Sequence, residues 1–400
     1  MTSEIKQRIE QIRRGEVPEG YKRTKAGIVP EEWEEKRIGD VLTQRKTLMC
    51  ISEDAPLLSF TIEEGVIDPA DKKSNKRDFL IKDMATKKFA LTEVGDIIYN
   101  PANLKFGAIH RNNLRRGVVS PIYGIFYGEQ DSVFMGYLLH NQRFIDYAKV
   151  YTEGTVEKLK TLKADTFLKL RITLPPLDEQ KKIAEILSAQ DKLIELKEKL
   201  IEEKKKQKKY LMQQILNNKT VKHKFSSKWN TVELKDVFEY IQPTKYLVKS
   251  TDYSDYYNIP VLTAGKSFVL GYTNETQGVY TQVPVVIFDD FTTDSKYVDF
   301  PFKAKSSAMK ILKVKDNYDI RFAFELLQNI KYTVGGHERH WISIFSQLIV
   351  DVPPYEEQLK ISKIIKNIDK EIELLQKEFD QEKQKKKAWM QLLLTGIVRI

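Results

Sequence analysis

The spacing of apolar positions changes character along this chain, and the changes divide it into four parts. Near the C-terminus Ile361, Ile365, Ile368, Ile372, Leu375 and Phe379 follow a 4-3-4-3 spacing, resumed by Trp389 and Leu393 after Glu382 and Lys386. That is a heptad seam, and it predicts one long helix. Ile183, Leu187, Ile194, Ile201, Leu211 and Ile215 keep the same frame, interrupted by Gln190, Lys197, Lys204 and Lys208. Before each seam the pattern is different: short apolar runs bounded by Gly, Pro and Asn, which read as strands. In the first stretch these are Leu57 to Phe60, Gly95 to Pro101, Gly107 to Ile109 and Val118 to Phe126, followed by helical spacing over Phe134 to Tyr147. In the second they are Pro260 to Thr263, Val283 to Phe288 and Met309 to Leu312, followed by a helix over Ile320 to Asn329. Two mixed α/β domains, each followed by a long helix, are expected.

The helices are copies of one another. Leu174-Pro-Pro-Leu-Asp-Glu-Gln-Lys-Lys-Ile183 recurs as Val352-Pro-Pro-Tyr-Glu-Glu-Gln-Leu-Lys-Ile361, and the offset of 178 holds without a gap to Leu216 and Leu394, with 19 identities in 43 positions. Each copy opens with Pro-Pro and then acidic residues, a helix-start signal. A weaker repeat opens each half, where Trp33 with Ile38-Gly-Asp-Val41 matches Trp229 with Leu234-Lys-Asp-Val237. The intervening domains share little else, so a duplicated frame carries diverged domains. At ~1.5 Å per residue such helices extend roughly 58 Å, more than a small domain needs, and two matched stripes in one chain are expected to pair with each other. The inter-helix or subunit-docking candidates are Ile183, Leu187, Ile194, Ile201, Ile361, Ile365, Ile368, Ile372, Leu375, Phe379 and Trp389.

The chain has 400 residues, 41% of them hydrophobic and 30% charged, enough apolar surface for two folded domains. Lys and Arg number 66 against 56 Asp and Glu, a net charge of +10, which favours a polyanionic partner. The lone Cys50 excludes an intramolecular disulfide and a cysteine zinc cluster. No run approaches the ~20 apolar residues of a membrane span, and the N-terminal helix of alternating charge is not a signal peptide, so a cytoplasmic protein is expected.

Basic residues gather on the predicted connections, where side chains that read bases are commonly carried. The DNA-binding candidates are Lys105, His110, Arg111, Arg115 and Arg116 in the first domain, and Lys266, Lys296, Lys303, Lys305 and Lys310 in the second. A glycine-led polar segment precedes the last strand of each domain and adds Lys158, Lys160, His337, Arg339 and His340. Three catalytic look-alikes fail. Asp351-Val-Pro-Pro-Tyr355 is split by Val352, Gly265-Lys266-Ser267 lacks the first glycine of a phosphate loop because Pro260 stands there, and His337-Glu-Arg-His340 has neither metalloprotease spacing nor a third ligand. Neither a catalytic centre nor a metal site is expected.

These residues carry a resemblance. Val17-Pro-Glu-Gly-Tyr21, Gly27-Ile-Val-Pro-Glu-Glu-Trp33, the two Pro-Pro-x-x-Glu-Gln helices, Gly95-Asp-Ile-Ile-Tyr-Asn100, Val119-Ser-Pro-Ile-Tyr123 and Leu394-Thr-Gly-Ile-Val398 resemble the specificity subunit of bacterial type I restriction-modification systems. Pro260-Val-Leu-Thr-Ala-Gly265 and Phe288-Asp-Asp-Phe-Thr292 resemble one subtype of its target-recognition domains. The resemblance implies an N-terminal helix over 1–20, target-recognition domains over 21–175 and 219–353, and conserved helices over 176–218 and 354–400 paired as an antiparallel coiled coil, in pseudo-two-fold symmetry. The C-terminal Leu394 to Ile400 and the N-terminal helix would together mimic the central stretch from Leu216 to Trp229. It further implies double-stranded DNA, two methyltransferase subunits and restriction subunits as partners. S-adenosylmethionine, ATP and magnesium would sit on those partners and no cofactor on this chain, which would associate with the nucleoid through DNA. Two other readings stand against it: a self-contained restriction or methylating enzyme, and a coiled-coil scaffold that binds only protein.

Overall fold

The computed structural model describes residues 2–25, 27–72, 86–153, 160–217, 221, 228–265, 267–330, 332 and 340–400. The chain forms two compact units, Met1–Leu196 with Phe379–Ile400, and Lys197–Glu378. Each unit holds one α/β domain and a part of both long helices, Leu177–Asn217 and Tyr355–Leu393.

In the first unit the helix Ser3–Arg13 starts at Thr2, whose hydroxyl accepts from the Ile5 N–H. The domain proper has a four-stranded antiparallel sheet ordered Ile109–Arg111, Ile97–Tyr99, Gly124–Tyr127, Thr43–Gln44, and a three-stranded one ordered Gly117–Val119, Phe89–Thr92, Leu48–Met49. Every residue of Phe89–Thr92 and Ile97–Tyr99 is buried, which is why these strands read as unbroken apolar runs rather than alternating ones. The helical stretch expected over Phe134 to Tyr147 is two helices, Ser132–His140 and Gln142–Lys149. Asn141 causes the break: its backbone is extended and its side chain accepts from the Arg143 N–H at 2.9 Å, capping a new helix.

The second unit pairs a four-stranded antiparallel sheet, Phe238–Ile241, Met309–Val314, Val285–Asp289, Ser295–Val298, with a mixed sheet, Val269–Thr273, Ile259–Leu262, Lys303–Ala304. Alternation along Val285–Asp289 serves two cores. Val286 and Phe288 face a cluster with Phe322, Trp341, Ile361 and Ile365, whereas Val285 and Ile287 face one with Leu262, Tyr280 and Phe302.

Within each unit the long helices run antiparallel, and the residues that interrupt their seams hold them together. Gln190 donates to Glu382 at 2.6 Å and Lys386 pairs with Asp191 in the first unit. In the second, Lys197 meets Glu378 at 2.6 Å, Lys204 meets Glu371 at 2.8 Å and Lys208 meets Asp369 at 2.9 Å. Polar pairs at seam positions fix register at some cost in stability. Lys208 and Lys386 are repeat equivalents, as are Asp369 and Asp191, so one clasp is made twice. Lys205 and Lys206 of the lysine run pair with Glu202 and Glu203 on their own helix.

Ile194, Ile368, Ile372, Leu375 and Trp389 are half-buried, and Ile201 and Phe379 are buried. Ile183, Leu187, Ile361 and Ile365 are 0% exposed and belong to the domain cores, where Ile183 and Leu187 join Trp33, Phe134 and Leu393. For those four the docking half of the expectation is corrected, since they offer no surface to a partner subunit, whereas the inter-helix half holds: Ile183 and Leu187 share their core with Leu393, and Ile361 and Ile365 share theirs with Met212 and Ile215, each from the other long helix.

Candidate nucleic-acid interface

Each domain is mounted on its long helix by the same devices. Strand Glu34–Arg37 pairs antiparallel with Arg171–Leu174, and Asn230–Glu233 pairs with Ile349–Val352. The Ile38–Val41 and Leu234–Val237 markers of the weaker repeat are one-turn helices in which Asp40 and Asp236 reach back to the Arg37 and Glu233 N–H groups, at 2.8 and 3.2 Å. The glutamine of each Pro-Pro-x-x-Glu-Gln motif is buried. Gln180 accepts from the Asp131 N–H at 3.2 Å and donates to Pro175 O at 2.9 Å and Gln130 Oε1 at 2.8 Å. Gln358 accepts from the Asp319 N–H at 2.8 Å and donates to Pro353 O at 2.9 Å and Asn317 O at 3.3 Å. Asp131 and Asp319 in turn cap the helices Ser132–His140 and Ile320–Gln328.

The first unit's termini close on each other. Glu179 accepts from the Trp33 indole at 3.3 Å and from Arg399 at 2.8 Å, Tyr21 donates to Gly396 O at 2.7 Å, and Arg8 donates to Ile397 O at 2.7 Å. The central stretch that these ends were expected to mimic lies largely outside the described residues.

Arg115 and Arg116 occupy an exposed turn between Ile109–Arg111 and Gly117–Val119, about half exposed, and pair with Asp68 and with Glu93 at 2.6 Å. Such surface pairs are worth ~0–1 kcal/mol and exchange readily for a phosphate. His110 and Arg111 sit instead at the wall of a cleft facing the long helices, with Tyr137, His140, Asp191 and Lys386. The His110 ring lies 4.3 Å from that of His140 and 2.7 Å from Ile62 O. Burial, with His140 adding to it, pushes the His110 pKa down to about 4, so it is neutral at neutral pH. Burial also lowers the pKa of His140 and of Arg111, whose Nε donates to Ser132 Oγ at 3.0 Å. A matching cleft in the second unit presents Arg321, Lys366, Asp369, Lys370 and Glu373.

Lys105 and Lys160 are half-buried, Lys105 over the Phe106 ring. Lys296 and Lys305 are half-buried as well, Lys305 over the Tyr253 ring. Lys303, Lys310 and His340 are different, at 1%, 0% and 2% exposure. They had been expected on connections, but Lys303 and Lys310 lie in strands with their ammonium groups inward. Lys303 donates to Gln277 O at 2.6 Å and pairs with Glu275, and Lys310 lies 3.4 Å from the buried Asp290 and 3.3 Å from Gln242 Oε1. No phosphate reaches those atoms. The His340 ring packs against Tyr332. Lys158, Lys266, His337 and Arg339 lie outside the described residues. Among the described residues no three His, Cys, Asp or Glu side chains gather as metal ligands, and no helix is long and apolar enough to cross a membrane.

The family described as "Type I restriction modification DNA specificity domain" matches this chain twice, over residues 30–206 and 226–382. The chain belongs to that family. The specificity subunit of the type I restriction enzyme EcoR124I/EcoR124II from Escherichia coli is 49% identical over 147 residues, 34% of this chain and 36% of that subunit. The putative MjaX specificity subunit of Methanocaldococcus jannaschii is 27% identical over 420 residues, 96% of this chain and 97% of that one. In fold, the chain is similar to the type I S subunit from M. genitalium, with a TM-score of 0.58 at 16% identity, covering 90% of this chain and 96% of that one. As a specificity subunit it is the non-catalytic, target-recognising component of its system, and the scaffold reading without DNA recognition is not favoured.

The sequence reading singled out Gln180 and Gln358 within the Pro-Pro-x-x-Glu-Gln motifs without giving them a role, and it missed their partners Asp131 and Asp319. The available signal for the aspartates was a capping position before each domain's apolar helix, Asp-x-x-Phe in both halves.

Proposed function

We propose that this specificity subunit reads a bipartite DNA target, one half-site per α/β domain, and directs two adenine-N6 methyltransferase subunits and the restriction subunits to it. The observation that carries this reading is the twofold occurrence of one mount, Gln180 on Asp131 and Gln358 on Asp319, beneath domains whose sequences have diverged. A common frame with unlike domains is what reading two unlike half-sites requires. S-adenosylmethionine, ATP and magnesium then belong to the partner subunits, and the complex acts on DNA in the cytoplasm. The reading domains are residues 21–175 and 219–353.

In the first domain the contacts are assigned to the turn bearing Arg115 and Arg116, with Lys105 and Lys160 in support, and in the second to Lys296 and Lys305. Lys158, Lys266, His337 and Arg339 remain candidates on sequence grounds. Arginine on an exposed turn suits bidentate contact with guanine or phosphate. The test is selection from a randomised duplex library by the assembled methyltransferase complex. Two enriched blocks separated by a fixed number of unselected base pairs are expected; a single block, or no enrichment, would refute the reading.

A further inference from the structure

We infer that Gln180 and Gln358 are positioning residues: each sets the orientation of its recognition domain on the long helix, and thereby the spacing at which the two half-sites are accepted. This rests on the reading of a bipartite target given above. The two domains differ in sheet composition and in their exposed turns, yet each presents the same element to the frame, an aspartate-capped helix with phenylalanine at its third position, Phe134 or Phe322, buried at 0% and 1%. In both, the backbone N–H of the capping aspartate, which is not consumed by its own helix, is taken by the motif glutamine. That glutamine also donates to the carbonyl of the first proline before its own helix, Pro175 or Pro353. One side chain therefore joins three things: the end of the domain's last strand, the start of the long helix and the start of the domain's helix.

Secondary contacts reinforce the joint farther along. Tyr137 donates to Asp191 at 2.6 Å in the first unit, Arg321 pairs with Asp369 in the second, and Ser362 donates to Asp319. Asp191 and Asp369 are repeat equivalents with equivalent lysine partners, but their partners on the domain helices, Tyr137 and Arg321, differ in residue type and in place on the helix. The glutamine is an element of the joint that both halves build alike, and the one that reaches the domain's helix. A buried amide with both donors and its acceptor engaged has one orientation, because turning it would strand polar groups away from water. It contacts no surface at which bases could be read, so it governs where a domain points and leaves base identity to the exposed turns.

The test replaces Gln180 or Gln358 by Met, which keeps length and removes all three hydrogen bonds, or by Glu, which keeps the acceptor and loses the donors. Methylated-adenine sites are then sequenced in DNA from cells carrying the whole complex. In each variant that assembles, the base identity of both half-sites is expected to stay as in wild type. The spacer is expected to broaden from one length to include neighbours one base pair shorter or longer, with methylation at the original spacing falling several-fold. General destabilisation would lower methylation at an unchanged spacing, and that result overturns the inference, as does an altered base in either half-site. Should neither Met variant assemble, the Glu variants carry the same criteria. Absence of a divided motif for the wild-type complex would instead refute the proposed function.

Discussion

Replacing Lys310 by Met separates two accounts of that residue. On sequence position it is a DNA contact; in the structure it is 0% exposed, with its ammonium 3.4 Å from Asp290, itself 1% exposed. Methionine fills the space of the lysine stem, so packing is largely retained. Among the described residues the Asp290 carboxylate then keeps the Trp341 N–H, at 2.8 Å, and loses its counter-charge inside the protein. Removing one partner of a buried pair costs about 3–5 kcal/mol, whereas replacing both by neutral groups is often close to neutral. Asn at position 290 can still accept from Trp341. Lys310→Met is therefore expected to lower stability by about 3–5 kcal/mol, and Lys310→Met with Asp290→Asn to recover most of the loss. Chemical denaturation of the purified chain reads this as a shift in midpoint at constant slope. A single variant with unchanged stability but reduced DNA affinity, or a double variant no better than the single, would refute the reasoning.

Gly396 has φ +69°, and a Cβ there would stand 2.5 Å from Pro30 Cδ, whereas Gly15 has φ +76° and open space around it. Gly15→Ala is expected to cost about 1 kcal/mol from backbone conformation alone, and Gly396→Ala about 1–3 kcal/mol more from the clash; equal losses in thermal unfolding would remove the packing argument. His110, with its pKa pushed down to about 4 by burial, is neutral when folded and takes up a proton on unfolding below its ordinary value near 6.5. Its contribution is thus present above pH 6.5 and lost as pH falls towards 4, by up to about 3 kcal/mol, and H110Q should flatten that part of the stability profile measured by denaturant midpoint against pH. Arg116→Ala, if Arg116 touches phosphate, lowers affinity for all duplexes alike and reduces the salt slope by about 1, while a base-reading Arg115 relaxes one position at ~1–3 kcal/mol when replaced by Ala; titrations over a site library at two salt concentrations distinguish them.

The frame was legible because it is periodic and duplicated. The seam of Ile361 to Phe379 and the Pro-Pro starts correspond to the long helices, and the Trp33 and Trp229 markers stand just before the strands Glu34–Arg37 and Asn230–Glu233, since heptads and helix starts are local signals. The interruptions at Gln190, Lys197, Lys204 and Lys208 were visible too, but their partners lie on the other helix at large sequence separations, so their clasping role was not. The candidate interface was less legible for a related reason. A lysine in a strand shows which face it takes only through its neighbours: Lys303 and Lys310 look like surface cations until Glu275 and Asp290, from other segments, are seen beside them. Arg115 and Arg116 were placed correctly on a connection because the run Asn113 to Arg116, after the buried Asn112, is exposed throughout.

The central claim is that two domains on one repeated frame each read half of a DNA target. The most direct measurement is methylated-adenine sequencing of DNA from cells carrying this chain with its methyltransferase, beside cells in which residues 219–353 are exchanged for the corresponding domain of a relative. A two-part motif whose second part alone changes with the exchange is the predicted result; an undivided motif, or one that the exchange leaves unaltered, contradicts the account.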